Sequence, residues 1–294
     1  MRGRLFWARR RETCSESECA RVSRLWMWRA GRGRAAVQVP KGAELVGIRG
    51  LRIRKRSWRL SEKRRMPINN SSAPEEKIAL FRSLFRGRED VYPRRFESVK
   101  TGKAGYSPVC GNEWVRGVCE KPRIKCGDCA HQRWLPVTDE VVRWHLSGSD
   151  DLGRPCVIGV YPMLLDERCL FLAVDFDDGD WAADSLAYLA TCERAGIPAA
   201  LERSRSGNGG HVWIFFAEAI PASLARKLGA HILTETMEQR PEAGLKSYDR
   251  FFPNQDTLPR GGFGNLIALP LQKAAREKGN SLFVDTELKP HADQ

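Results

Sequence analysis

No run in the 294-residue chain approaches the ~18–20 consecutive apolar positions that a membrane-crossing helix needs. The N-terminal stretch also lacks the continuous apolar segment of a secretory signal. A soluble, cytoplasmic protein is therefore expected. Histidine is scarce, with 5 in all, so there is little material for the paired histidines of an HNH-like nuclease. No internal repeat is visible, which excludes a solenoid. What is present is ordinary for a globular chain: 42% hydrophobic and 29% charged residues. That length suits one large domain or two small ones.

The net charge of +13 suggests a nucleic-acid partner, but its distribution matters more than its size. Residues 1–65 hold 20 Lys and Arg against 5 Asp and Glu, whereas residues 66–294 hold 29 against 31. The excess thus lies almost wholly in an Arg-rich extension, residues 1–74, that shows no sustained period. We read it as a disordered basic tail, or as translation from an upstream start with Met66 as the natural first residue. A basic nucleic-acid-binding arm and an organelle-type transit peptide are the other readings. Within the remainder, residues 82–133 carry 12 basic and 6 acidic side chains, a local stripe suited to a phosphate backbone.

Residues 75–294 read as the folded domain. An amphipathic helix is predicted over 75–86, with Ile78, Phe81, Leu84 and Phe85 on one face and Gly87 as its stop. Residues 90–133 read as a loop. A short helix is expected over 138–147, capped by Thr138. Strands are predicted over 157–161, 169–176, 198–202, 211–216 and 265–271, with helices over 181–194 and 221–240. Asp180 is the expected cap of the first of these. This β-β-α-β-β-α-β order does not simply alternate, so it implies an α/β or α+β sheet of mixed strand direction.

Three motifs carry chemistry. The apolar run from Leu170 ends on Asp175 and Asp177. Strand alternation points both carboxylates the same way. Neighbouring carboxylates repel unless a cation lies between them, and Mg²⁺ or Mn²⁺ prefers such oxygen ligands. A plain solvated strand end is the competing reading. Next, Arg203, Ser204, Arg205, Ser206, Gly207, Asn208, Gly209, Gly210 and His211 join two strands. Glycines there allow positive φ and an anion-binding nest of backbone N–H groups. Arg203, Arg205, Ser206 and His211 add donors suited to a triphosphate. An ordinary flexible hairpin is the alternative. Third, in the segment from Tyr248 to Gln272, Asp249 and Asp256 are both candidates for a further carboxylate. Arg260 and the glycines after it are suited to lie along a substrate backbone.

Of nine cysteines, Cys110, Cys119, Cys126 and Cys129 cluster, with His131 just beyond. A Cys-x2-Cys hairpin with two further thiolates suits tetrahedral Zn²⁺ in a structural role, within an insert spanning 106–133. Free thiols are the alternative. Cys156, Cys169 and Cys192 stand in apolar surroundings and read as core thiols.

Taken in order, the motifs Asp175-Phe176-Asp177-Asp178, then Ser206 through Trp213, then the segment from Phe252 to Gln272 resemble the archaeo-eukaryotic primase superfamily. The likeness is nearest to the primase domain of bacterial TOTE conflict systems, which also shows a start like Ala79–Tyr92 and a Cys-rich insert. It covers residues 77–294. The resemblance implies an α/β unit packed against an RRM-like catalytic sheet, and template-directed strand synthesis from nucleoside triphosphates. By that likeness Asp175 and Asp177 bind catalytic divalent metals, and Asp249 is chosen as the third acid over Asp256. His211 and Ser206, with Arg203, Arg205, Gly207 and Gly209, hold the incoming nucleotide. A nucleic-acid template and helicase or nuclease domains of the same system are the implied partners. Two rivals stand beside this reading: a catalytically inactive zinc-containing nucleic-acid-binding module, and a divalent-metal nuclease.

Overall fold

The computed structural model describes residues 67–239 and 245–294. Residues 1–66 of the basic extension, with Cys14, Cys19 and the expected start at Met66, lie outside the described residues, and its last residue, Pro74, belongs to the first helix. Helix α1 (Pro74–Leu84) begins with proline at its first turn, and Glu76 reaches back to accept the Ala73 N–H. A hairpin follows, β1 (Pro93–Glu97) with β2 (Ala104–Pro108), in the stretch expected to be loop. Helix α2 (Asp139–Ser147) is capped by Thr138, whose hydroxyl accepts from the Val141 N–H. It stops at Gly148 with φ 95°.

The centre is a five-stranded sheet. Its strands are β4 (Arg168–Asp177), β5 (Ala200–Arg203), β6 (Gly209–Pro221), β7 (Tyr248–Phe252) and β9 (Leu282–Val284), in the order β7-β4-β6-β5-β9. All of its pairings are antiparallel, which corrects the expectation of mixed directions. The two helices α3 (Trp181–Arg194) and α4 (Ala222–Gln239) connect β4 to β5 and β6 to β7. Skipping a position at each crossover lets neighbouring strands run oppositely. The strand predicted over 265–271 shrinks to β8 (Ile267–Ala268), which pairs only with β3 (Gly159–Val160). The fourth strand of the β-α-β-β-α-β unit is instead β7, where the sequence predicts no strand. A short helix α5 (Lys273–Arg276) precedes β9. Asp180 stands at the start of α3 as expected, but its side chain makes no capping bond.

Alternation along the strands builds two cores. Leu172, Val174 and Phe176 of β4 with Val212 and Ile214 of β6 face α3 and α4. Phe171, Ala173 and Trp213 face the other way, onto α1, α2 and β3. There Phe85, the residue that ends α1, meets Trp213 edge-on at 5.0 Å. That second face continues toward the strand ends as Asp175, Asp177 and His211, so the site is the polar extension of a packed layer.

Buried His145 fastens α2 to that layer. Its Nδ1 accepts the Ile158 N–H at 3.1 Å, and its Nε2 lies 2.9 Å from the Pro270 carbonyl. The ring is therefore neutral with its hydrogen on Nε2. Burial holds its pKa at about 4. The folded state thus resists a proton that the unfolded chain takes up below pH ~6.5, so stability falls as pH drops from about 6.5 to about 4. The expected slope is about 1 kcal/mol per pH unit, read by denaturant melts between pH 7.5 and 4.5. His145→Gln should flatten it; an unchanged slope would show the titration lies elsewhere.

Candidate active site

Register decides which side chains meet. On β4, Asp175 stands opposite His211 of β6 on one side and Arg250 of β7 on the other. Asp177 stands opposite Gly209. Glu202 of β5 is paired with His211, so it shares the same face. The ring of His211 lies between two carboxylates. Its Nδ1 is 2.8 Å from Glu202 Oε2, and its Nε2 is 3.4 Å from Asp175 Oδ1. Trp213 Nε1 donates to the same Glu202 oxygen at 2.9 Å. Glu202 is only 2% exposed and can only accept, so Nδ1 must carry hydrogen. Burial alone would lower the His211 pKa, but Glu202, then Asp175 and Asp177, outweigh it and raise it. The protonated form of the ring is therefore favoured more than in a free imidazole.

The acids repel as expected. Burial pushes the Asp175 carboxyl above its ordinary range; His211 opposes this, and Asp249 and Asp177 add to it. Asp249 is the extra residue where β7 shifts register between Arg250 and Tyr248, a β-bulge. It pairs with Arg250 at 2.6 Å and is 40% exposed. Buried Asp184 of α3 steadies the approach to β7 through Ser247, whose hydroxyl donates to it at 2.7 Å. The Ser247 carbonyl in turn accepts the Asp177 N–H at 2.8 Å. Asp256 behaves differently: it is ion-paired with Arg226 of α4.

The glycine-rich turn divides its labour. Gly207 alone among its glycines takes positive φ, at 88°. Gly209 is needed for space, since a Cβ there would lie 2.6 Å from the Phe176 carbonyl oxygen and 2.9 Å from an Asp177 oxygen. The nest expected from three permissive glycines is therefore limited to Gly207. Ser206 Oγ lies 3.0 Å from Ser204 Oγ and accepts the Asn208 N–H at 3.2 Å. Arg203 does not join the site. Its odd place on β5 turns it to the opposite face from Glu202, where it donates to the carbonyls of Gly279 and Leu288 at 3.2 and 2.8 Å.

The profile of the TOTE conflict system archaeo-eukaryotic primase domain matches residues 76–294. The chain belongs to that family. No curated protein is similar enough to it to count as a match. The match takes in the whole of the primase sheet and the cysteine segment, and it places the domain in a primase-type nucleotidyltransferase family.

In the primase domain's cysteine segment, Cys110, Cys119, Cys126 and Cys129 line one cavity with His131. Backbone N–H groups point at the sulfurs: those of Asn112 and Arg133 at Cys110 Sγ, both 3.4 Å, and that of His131 at Cys129 Sγ, 3.3 Å. Such N–H donors are what thiolate ligands use to spread their charge. Among the described residues, no three His, Cys, Asp or Glu side chains converge closely enough to hold a metal ion. The segment abuts the loop after β7. A Cβ on Gly127 would lie 3.3 Å from the Gly261 carbonyl oxygen, and Phe263 packs on Trp134 at 5.1 Å and on Tyr161 at 4.8 Å.

Sequence reasoning missed Glu202 and Arg250. A charged residue closing the apolar run Ala199-Ala200-Leu201 was the available signal for Glu202, once the turn at 204–208 is taken to set it opposite His211. Among the described residues, no helix is long and apolar enough to cross a membrane.

Proposed function

We propose that this domain catalyses template-directed nucleotidyl transfer, extending or initiating strands from nucleoside triphosphates. The observation that carries the reading is the register that gathers Asp175, Asp177 and His211 at one end of one sheet face, with Asp249 close enough to act on Asp175. The β-α-β-β-α-β order supports taking the sheet as RRM-like. Asp175, Asp177 and Asp249 suit Mg²⁺ or Mn²⁺, because an oxygen donor set in which Asp249 and Asp177 add to the upward push on a buried Asp175 favours a divalent cation. That cation would supply the charge that activates an attacking 3′-hydroxyl and steadies departing pyrophosphate. The chain's own groups do the rest. His211, oriented by Glu202 on Nδ1, presents Nε2 to an incoming phosphate. Ser206, the Gly207 backbone and Arg205 add neutral and charged donors beside it. Arg250 answers the carboxylates until substrate enters.

We further propose that the four cysteines, which line one cavity without converging to ligand distance, draw together on a structural Zn²⁺; their shared cavity and the N–H groups aimed at sulfur support this. Metal analysis is expected to find about one zinc per chain, lost on Cys126→Ser; zinc-free wild-type protein would remove this claim.

The function is tested with single-stranded DNA, labelled nucleoside triphosphates and Mg²⁺ or Mn²⁺. Lengthened, labelled strands that vanish with chelator are the expected result. Strands shortened without nucleoside triphosphate would establish a nuclease instead, and strand binding with no product would establish the binding module.

A further inference from the structure

The β1–β2 hairpin carries an aromatic ring and two cations that the fold leaves without partners. Its root is fastened to the domain: the Arg95 N–H donates to the Val157 carbonyl at 2.8 Å, and Arg94 pairs with Asp150 at 3.0 Å. One face is turned inward, where Tyr106 stands opposite Arg95. Burial raises the Tyr106 pKa and Arg205 of the glycine-rich turn opposes the rise, so the hairpin stands beside the turn that leads to His211.

The other face and the tip are open. Phe96 stands opposite Gly105, and its ring leans over that glycine: a Cβ at Gly105 would lie 3.0 Å from Phe96 Cζ. The ring thus rests on backbone where a side chain would otherwise stand. It is still 48% exposed, and Val99 at the tip is fully exposed. The tip is shaped by its own bonds, since the Ser98 N–H donates to the Lys103 carbonyl at 2.9 Å and Gly102 takes φ 65°. The hairpin holds Arg94, Arg95, Lys100 and Lys103 against Glu97 alone. Arg94 and Arg95 are answered by Asp150 and Glu97. The exposed ammonium groups of Lys100 and Lys103 have no acid beside them among the described residues.

The chemistry of this surface selects its ligand. An exposed aromatic ring with free cations nearby suits unpaired bases on a phosphate backbone, because every base has a stacking face and every linkage a negative charge. A duplex hides its base faces within the stack. A stable protein interface needs about 800 Å² from each partner, and two exposed apolar side chains beside unpaired lysines fall short of that.

We propose that the β1–β2 hairpin is an arm that holds single-stranded nucleic acid beside the catalytic sheet, with Phe96 stacked on an unpaired base and Lys100 and Lys103 on its phosphates. The arm deepens the nucleotidyl-transfer reading by naming where the template lies, and rests on that reading for the strand's identity.

The test titrates full-length protein, by fluorescence anisotropy, with a labelled single-stranded DNA oligonucleotide, its abasic counterpart and the corresponding duplex. Phe96→Ala is expected to weaken single-strand binding about tenfold, from the loss of one base stack, and to leave the abasic strand unchanged. Phe96→Trp should restore the affinity. Lys100→Ala combined with Lys103→Ala should weaken the normal and abasic strands alike, and reduce the salt slope of single-strand binding by about 1.4, at ~0.7 per phosphate. Unchanged single-strand affinity in both sets of variants overturns the proposal and leaves the patch to a protein partner. An equal loss on the abasic strand or the duplex from Phe96→Ala also overturns it. Weakened binding by the variants, with no strand synthesis by wild type, would sink the polymerase reading and leave the arm standing. Synthesis by wild type with unaltered binding in the variants would do the reverse.

Discussion

Glu202→Leu is expected to destabilise the protein by about 3–5 kcal/mol and to abolish activity with it. Leucine fills the space, so the loss reflects chemistry rather than a cavity. It strands two buried donors, His211 Nδ1–H and Trp213 Nε1–H, that now share one Glu202 oxygen. It also removes the carboxylate that favours the protonated form of the ring. Glu202→Gln keeps an acceptor and should cost less, about 1–2 kcal/mol, while still lowering the rate. The pH dependence has a definite sign. The folded His211 pKa is raised, so its contribution is complete below the unfolded value near 6.5 and fades as pH rises through the folded one. The gap between wild type and Glu202→Leu should therefore be widest below pH ~6.5 and narrow as pH rises through the folded value. Denaturant melts across that range read it. A gap of constant width would mean that Glu202 is bonded to His211 without governing its charge.

Asp175→Asn is expected to do the opposite: to lower the rate of nucleotide incorporation about a thousandfold while leaving stability within about 1 kcal/mol of wild type. A thousandfold corresponds to about 4 kcal/mol, the scale at which a bound cation stabilises developing charge. The fold already disfavours this carboxylate in its ionised form, because it is buried beside two like charges. An isosteric amide relieves that repulsion and keeps the shape of the strand end. Single-turnover incorporation with a chemical melt on the same preparations measures both quantities. A rate within tenfold of wild type would remove Asp175 from the proposed chemistry. A large loss of stability would recast it as a structural acid. Glu202 and Asp175 flank the same imidazole, so the contrast between the two variants separates what holds the site from what acts in it.

The parts of this arrangement that were legible in the sequence are those with a continuous apolar run or a period. The run ending at Asp175 and Asp177 and the strand leading from His211 announce themselves as unbroken apolar stretches, because both of their faces are covered, and the helix of Trp181–Arg194 by its 3.6-residue repeat. The β1–β2 hairpin was hidden for the opposite reason. Arg94, Arg95, Lys100 and Lys103 make its composition look like loop, and the hairpin is held by its ladder rather than by an apolar stripe. β7 was masked by its acidic and basic residues, which face a site instead of a core. Which acid lies near Asp175 was beyond local reading altogether. Asp249 and Asp256 are seven residues apart, and only the register of β7 against β4 and the pairing of Asp256 with Arg226 distinguish them. Arg203 misled because donor type was read without strand parity: one residue along from Glu202, it is turned to the other face.

The bulge at Asp249 has a second effect. Among the described strands of the main sheet, β7 is an outer one, and an outer strand with a straight, unpaired edge is a template for another chain to add to. The extra residue interrupts that edge, and the adjoining Asp249 and Arg250 leave charge where an incoming strand would need to lie flat. At the other margin β9 is only three residues long, too short to offer much of a ladder. The irregularity that frees an acid from the ladder thus also guards the sheet against self-association, and smoothing it by deleting Asp249 would remove that acid and expose an edge prone to aggregation.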